Sequence, residues 1–146
     1  MTERPVMSVE QLQRFLSEAF PGPPLPYIVE HIDASTVRLR LPVGIEQSRP
    51  GGTVAGPSLM ALADCAAWLV IVGQIGPVAL SVTTSLHIDF FRKPPLVDVV
   101  ADGSLLKLGR RLAVVEVALR TVDVDDAESL VAKAQVTYSI PPDDHA

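Results

Sequence analysis

The chain has 146 residues, of which 48% are hydrophobic and 20% are charged, and its formal net charge at pH 7 is -5. This length and composition predict one globular domain with a sizeable core and exclude a mainly disordered chain. The acidic balance provides no global basic field for nucleic acid or an anionic membrane, so an anionic ligand would need a local cluster of cations.

Cysteine and histidine usage also limits the chemistry. The single cysteine, Cys65, cannot form an intramolecular disulfide and is predicted to pack in the core. The three histidines show no metal-ligand spacing with it, so we expect no metal site. The N-terminus lacks an apolar secretory segment, and the apolar stretch from Leu59 to Gly73 is shorter than the roughly 20 residues of a membrane span. These features predict a cytoplasmic protein with no membrane partner.

The first predicted element is a short amphipathic helix that begins at a capping box formed by Ser8 and Gln11. It ends before the proline-rich stretch 21–26, because proline cannot continue a helix. Two strands are predicted next, over 27–33 and 36–42, and the two residues between them are short enough for a hairpin.

A second, longer helix is predicted to begin at Gly56 and Pro57, because proline suits the first helical turn. It is apolar on all sides, as a helix surrounded by protein is, and should run to about Gly73, ended by Gly73 and Gly76-Pro77. Four strand segments then form a predicted meander, over 78–92, 96–108, 111–123 and 129–140. This order predicts an α+β fold, an antiparallel sheet wrapped around the long helix, with a second subunit covering the sheet's other face.

One carboxylate, Asp64, interrupts the apolar run of the long helix. An ionised group in such surroundings loses hydration, and that cost needs a structural or a chemical reason. Asp64 is therefore either a buried aspartate satisfied by backbone N–H groups or an arginine, or a base that desolvation strengthens toward water. The residues around it leave both possibilities open.

Four stretches of the sequence form a set: GGTVAGPSLMALADCAAW, SVTTSLHIDFFRKP, LLKLGRRLAVVEVAL and AKAQVTYSI. Together they resemble the hotdog-fold acyl-CoA thioesterases of the phenylacetate, PaaI-like type, over about residues 40–140. The resemblance implies a single hotdog domain at 27–141, preceded by an N-terminal helix and proline-rich connector at 1–26 and followed by a tail at 142–146. It also implies hydrolysis of an acyl- or aryl-CoA thioester in a homodimer or homotetramer, with no cofactor beyond the coenzyme A of the substrate.

The resemblance further assigns site residues. The acid of the family's helix falls on Asp64, as general base or nucleophile, and the first glycine of its His-Gly-Gly motif falls on Gly56, whose N–H would stabilise the oxyanion. Thr83 matches a small hydroxyl that holds the attacking water. The motif histidine falls on Ala55, and the second glycine falls on Pro57, which has no N–H. In dimers of the family, the acid of one chain faces strand residues of the other.

Strand alternation gives a second, independent prediction for the position of Thr83. A period of two places it on one face with Ser85, His87 and Asp89. Such a polar stripe is more typical of a solvated or subunit-contacting face, and we expect His87 to lie at a surface or interface.

Several polar residues are predicted to bind the substrate. Arg49 falls where relatives often carry an asparagine near the thioester, and would bind substrate or pair with Asp64. Ser58 would supply a hydroxyl at the helix start, although a plain helix-start serine is the alternative. Two basic clusters suit the phosphates of coenzyme A, with solvated turns as the alternative: Arg92 with Lys93, and Lys107 with Arg110 and Arg111.

Two other functions fit the same fold. The absence of the motif histidine and the presence of Pro57 favour a non-catalytic module that binds acyl-CoA or lipid without turnover. A hydratase or dehydratase is disfavoured, because it would need an Asp/His or His/Glu pair and no histidine stands near the helix start. The fold alone does not separate these functions.

Overall fold

The computed structural model describes residues 3–78 and 81–142. Within these ranges there are two α-helices, α1 (Val9–Ala19) and α2 (Gly56–Ile75). The strands, in chain order, are β1 (Ile28–Ile32), β2 (Thr36–Leu41), β3 (Ser48–Arg49), β4 (Thr53–Val54), β5 (Val82–Phe90), β6 (Val99–Leu108), β7 (Leu112–Val122) and β8 (Glu128–Ser139). Six strands form one antiparallel sheet in the order β1-β2-β6-β7-β8-β5, and β3 pairs with β4 separately. The predicted sheet around one long helix is confirmed.

Helix α1 begins at the predicted capping box. The Gln11 N–H donates to Ser8 Oγ at 3.2 Å, and the Ser8 N–H donates to Gln11 Oε1 at 2.9 Å. Gln13 then fixes the helix to the start of β1, because its amide donates to the Tyr27 carbonyl at 3.0 Å and accepts from the Val29 N–H at 2.8 Å. The N-terminal helix is therefore docked on the domain rather than separate from it.

Helix α2 is enclosed, as its apolar sequence predicts. It is long and apolar enough to cross a membrane by composition, but 72% of its most apolar window is buried inside the fold, as in the core helix of a soluble protein. Gly73 itself does not end α2, which continues to Ile75, but the predicted stop at Gly76 is confirmed, since Gly76 caps the helix at φ 100°. Gly73 instead allows close packing, because a Cβ there would lie 2.8 Å from Ile32 Cδ1.

The predicted four-strand meander is wrong in one strand. Strands β6, β7 and β8 pair in sequence, but β5 lies at the far edge of the sheet, beside β8. The segment 91–98 does not turn back into a hairpin, because Pro94 and Pro95 interrupt it and it packs against β4 instead. There the Val54 N–H donates to the Pro94 carbonyl at 3.1 Å. As a result, β5 is an edge strand that pairs on one side only.

The outer face of the sheet carries a network of charges. Arg38 makes a bidentate pair with Asp102 at 2.8 and 2.9 Å, and Arg120 reaches the same carboxylate at 2.8 Å. Arg38 also contacts Glu128, and its guanidinium lowers the pKa of that carboxyl. Half-buried pairs of this kind, still in contact with water, contribute only modestly to stability individually. They do make this face suited to water, so the network does not by itself require the covering subunit that we expected.

Candidate active site

Asp64 lies in the middle of α2, half-buried, and its carboxylate meets two hydroxyls from the sheet. Thr83 Oγ1 on β5 donates to Asp64 Oδ1 at 2.7 Å, and the Tyr138 OH on β8 donates to the same oxygen at 2.7 Å. Among the described residues, Asp64 makes no ion pair, so it does not pair with Arg49 within the chain. The carboxylate is therefore held by neutral donors and not by an arginine.

A β-bulge decides which side chain of β5 reaches Asp64. Thr83 is opposite Tyr138 and Ser85 is opposite Thr137, so Thr84 is an extra residue without a partner of its own. Residues opposite each other point to the same face, and Tyr138 points inward. The prediction that Thr83 shares a face with Ser85, His87 and Asp89 is therefore wrong, because the bulge breaks the alternation and turns Thr83 toward the helix.

Asp64 lines a cavity of about 550 Å³, which we call the acid pocket. Its other walls are mainly apolar and come from α1, α2 and the ends of β5 and β8. They are Ala19, Phe20, Leu25, Tyr27, Ala61, Cys65, Trp68, Ser81, Val82, Thr83 and Tyr138. Trp68 is held from the α1 side by two rings, with centroids 5.0 Å away for Phe15 and 5.5 Å away for Phe20. The N-terminal helix thus forms one wall of the pocket.

Three titratable groups lie close to Asp64, and burial affects each of them. Burial, together with the charges of Cys65 and Asp64, raises the pKa of Tyr27 to about 12. Burial and the charge of Asp64 raise the pKa of the Cys65 thiol to about 12. Burial also raises the pKa of Tyr138 well above its ordinary value. All three groups remain protonated at neutral pH, so the Tyr138 hydroxyl stays available as a donor.

A second cavity, of about 400 Å³, lies at the start of α2, and we call it the cation pocket. Arg49, Arg92 and Lys93 line it, together with Gly56 and Phe90. The Gly56 N–H has no acceptor in the ranges that the structure describes, as expected at the first turn of a helix. The helix N-terminus adds partial positive charge at the same place. This pocket can bind an anion or an oxyanion.

The two pockets are separate within one chain. Gly56 and Asp64 are eight residues apart on α2, or about 12 Å along the helix axis. An oxyanion donor and a base must both lie about 3 Å from the atoms of one reacting group. Gly56 and Asp64 of the same chain therefore do not serve the same thioester.

The remaining predicted residues lie elsewhere. Ser58 lines a smaller cavity of about 330 Å³ with Pro57 and Ala61. Arg110 and Arg111, together with Arg4, line another cavity of about 900 Å³, which lies beyond the C-terminal end of α2. Lys107 is exposed near the end of β6 and lines none of these cavities. The structure thus brings Arg92 and Lys93 to Gly56, but not the second basic cluster.

Tyr138 and Phe20 were missed by the sequence analysis. Tyr138 continues an inward alternation with Ala132, Ala134 and Val136, all of which are buried. That period of two could have placed its ring against the helix. Phe20 carried no signal of this kind, since it follows the last residue of α1 and reaches Trp68 only in the folded chain.

Comparisons with known proteins identify the family of this chain. The model of the thioesterase superfamily matches residues 51–128. A candidate thioesterase from a Silicibacter species is 36% identical with a TM-score of 0.81, and the match covers 97% of this chain and 99% of that one. A variant of the phenylacetic acid degradation protein PaaI from Thermus thermophilus is 27% identical with a TM-score of 0.67, covering 80% of this chain and 95% of that one.

A third relative comes from Thermoplasma acidophilum. This candidate esterase is 26% identical over 112 residues, which are 77% of this chain and 81% of the relative. The family match includes α2 and β5 to β7, with Gly56, Asp64 and Thr83, and leaves out Arg49 and Tyr138. The match to the Silicibacter protein covers 97% of this chain. The chain belongs to the thioesterase superfamily, a family of thioester hydrolases with the hotdog fold.

Proposed function

We propose that the protein hydrolyses an acyl- or aryl-CoA thioester, with Asp64 as the general base or nucleophile. One observation carries the proposal: a half-buried carboxylate, without an ion-pair partner in the described chain, lines an apolar pocket with one oxygen held by two hydroxyls. In an apolar pocket such a carboxylate can take a proton from water or attack an electrophilic carbon. Membership of the thioesterase superfamily gives the reaction class.

Two routes use the same groups. As a base, Asp64 takes a proton from water while the water oxygen bonds to the thioester carbon; the C–S bond then breaks, and the thiolate of coenzyme A recovers that proton. As a nucleophile, an Asp64 oxygen bonds to the carbon and expels the thiolate, and water hydrolyses the resulting mixed anhydride. Each route consumes one water and yields a free acid and coenzyme A. In each, an N–H at the helix start stabilises the oxyanion.

We further propose that two copies of the chain complete each site. The free edge of β5 carries exposed apolar side chains, with Val82 56% exposed at one end and Phe90 48% exposed at the other. The Val82 end adjoins the acid pocket, and the Phe90 end adjoins the cation pocket. Antiparallel pairing of two β5 strands about a twofold axis would bring the acid pocket of one chain to the cation pocket of the other. In this dimer, alone or doubled into a tetramer, Asp64 of one chain and Gly56 of the other would lie at the same site.

The same arrangement assigns the two halves of the substrate. The acid pocket has room and apolar walls for the acyl group, with Phe20 and Trp68 as its aromatic side. Arg49, Arg92 and Lys93 at the cation pocket suit the phosphates of coenzyme A, because guanidinium and ammonium groups bind phosphate by charge-assisted hydrogen bonds. No metal or further cofactor is needed for this chemistry.

Thiol release from a panel of aryl-, short-, medium- and long-chain acyl-CoAs tests the proposal. We expect turnover with at least one of them and a loss of about 100-fold or more in kcat for Asp64→Asn, which keeps the shape of the side chain but not its basicity. Equal rates for the parent and Asp64→Asn would contradict the role of Asp64. Saturable binding of acyl-CoA without thiol release would support the non-catalytic alternative that Ala55 and Pro57 suggest.

A further inference from the structure

Tyr138 is placed as a partner of the acid that the proposed function requires. Its side chain is only 5% exposed, and its hydroxyl lies 2.7 Å from Asp64 Oδ1 and 3.1 Å from the Asp64 carbonyl oxygen. Because a hydroxyl has one proton, the shorter contact identifies Oδ1 as its main acceptor. A buried phenol normally needs such a partner, but here the partner is the functional carboxylate itself.

Thr83 and Tyr138 act on the same carboxylate oxygen. They are directly opposite each other in the sheet, and both donate to Oδ1 at 2.7 Å. Two donors occupy the two lone pairs of Oδ1. Oδ2 accepts no hydrogen bond from the described part of the chain, so it is the oxygen left for water or the thioester carbon.

We propose that Tyr138 is a positioning residue, which together with Thr83 fixes Asp64 Oδ1 and leaves Oδ2 as the reacting oxygen. The inference rests on the proposed function of Asp64. Without these hydroxyls, the carboxylate could turn about its Cβ–Cγ bond and present either oxygen in several orientations. A base or nucleophile that is held in one orientation reacts faster, because its alignment is already fixed before the reaction.

The split between kcat and KM reports this role. The orientation of Asp64 matters for the reaction of the bound substrate, so loss of the Tyr138 hydroxyl should lower kcat and leave KM nearly unchanged. A merely structural loss at the pocket wall would instead weaken substrate binding and raise KM.

Tyr138→Phe is the direct test, because it removes the hydroxyl and keeps the ring. We expect kcat to fall about tenfold with little change in KM. Thr137→Val is the matched control, since it removes a hydroxyl from the neighbouring position of β8, and that side chain lines neither pocket. Its kcat and KM should stay at the parental values. An unchanged kcat in Tyr138→Phe, or an equal loss in Thr137→Val, would overturn the inference.

Combined variants separate this inference from the proposed function. If Tyr138 acts through Asp64, Tyr138→Phe should cause no further loss in an Asp64→Asn background, whereas an equal loss in both backgrounds would contradict it. If Thr83 and Tyr138 hold the same oxygen, Thr83→Val with Tyr138→Phe should lose more than the product of the single losses. An active Asp64→Asn enzyme would reject the proposed function, and an unaffected Tyr138→Phe enzyme would reject the positioning role alone.

Discussion

The cation pocket and the acid pocket both lie along α2, the first at its first turn and the second about two turns further on. The cation pocket has two arginines, a lysine and a free helix N-terminus, but no carboxylate among its described lining residues. The acid pocket has a carboxylate held by hydroxyls, but no arginine, lysine or histidine among its described lining residues. Under the proposed function, thioester hydrolysis needs both kinds of group around one carbon, so one helix would supply the two halves of two different sites. This difference between the pockets can be tested one half at a time.

The largest expected effect is the activity regained when a chain that lacks the Asp64 carboxylate pairs with a chain that lacks the Gly56 N–H. Asp64→Asn and Gly56→Pro should each be nearly inactive alone, because each removes one half of every site. A mixed dimer of the two variants would keep one intact site of its two, so it should recover about half of the parental rate. Differently tagged chains, co-expressed and purified through both tags, would give the thiol-release rate of that mixed dimer. Mixed dimers without activity would indicate that Asp64 and Gly56 of the same chain serve one site.

Gly56→Pro on its own tests the cation pocket. The substitution removes the N–H, and Ala55, at φ -67° and ψ 141°, already has a backbone conformation that a following proline accepts. It also places a Cβ directly before Pro57, which crowds a helical residue, and Gly56→Ala introduces the same Cβ as a control. We expect kcat to fall about 100-fold or more, the usual cost of one oxyanion donor. Gly56→Ala keeps the N–H, and its Cβ would make an ordinary contact with Phe90 at 3.6 Å, so it should lose far less. Similar losses in both variants would indicate that the added side chain, and not the loss of the N–H at position 56, lowers kcat.

The basic side chains of the cation pocket should have a smaller effect, mainly on binding. Changing Arg92 and Lys93 together to alanine should raise KM for acyl-CoA by about tenfold and weaken its dependence on salt, because charge-assisted contacts to phosphate are lost. Arg110→Ala with Arg111→Ala is the matched pair, drawn from the cluster that lies away from both pockets. A larger rise in KM from that pair would assign the phosphates to the other cluster.

The smallest effect concerns stability, and only the acid pocket should show it. Cys65 and Tyr27 have ordinary pKa values of 9.0 and 10.0, and burial raises both to about 12 in the folded chain. A group whose folded pKa is raised contributes stability below its unfolded pKa, and that contribution is lost as pH rises through the folded value. The melting temperature should therefore fall from about pH 9 upward. Cys65→Ala with Tyr27→Phe should reduce the fall and leave the part that the buried Tyr138, whose pKa is also raised, contributes. An identical decline in that variant would exclude Cys65 and Tyr27 as contributors.

Much of this architecture could be predicted from the sequence. Capping by Ser8 and Gln11, the start of α2 at Gly56 and the enclosure of that helix follow from local rules of composition and spacing. The position of β5 does not, because strand order depends on how the segment 91–98 packs against β4. Nor does the inward position of Thr83, since one unpaired residue reverses the alternation. Tyr138 is 74 residues from Asp64 along the chain, and only the closed sheet brings the two together.

The extra residue in β5 also affects how relatives should be compared. Thr83 reaches the acid from three positions before Leu86, the first inward apolar residue of the regular part of the strand. A relative without the extra residue would carry the equivalent hydroxyl two positions before the counterpart of Leu86. An alignment without a gap at this point would then match Thr84 to that hydroxyl, although Thr84 donates to the Thr137 carbonyl at 3.2 Å and makes no bond to the acid. Superposition of the strands, rather than counting along them, is needed to identify the hydroxyl that serves the acid.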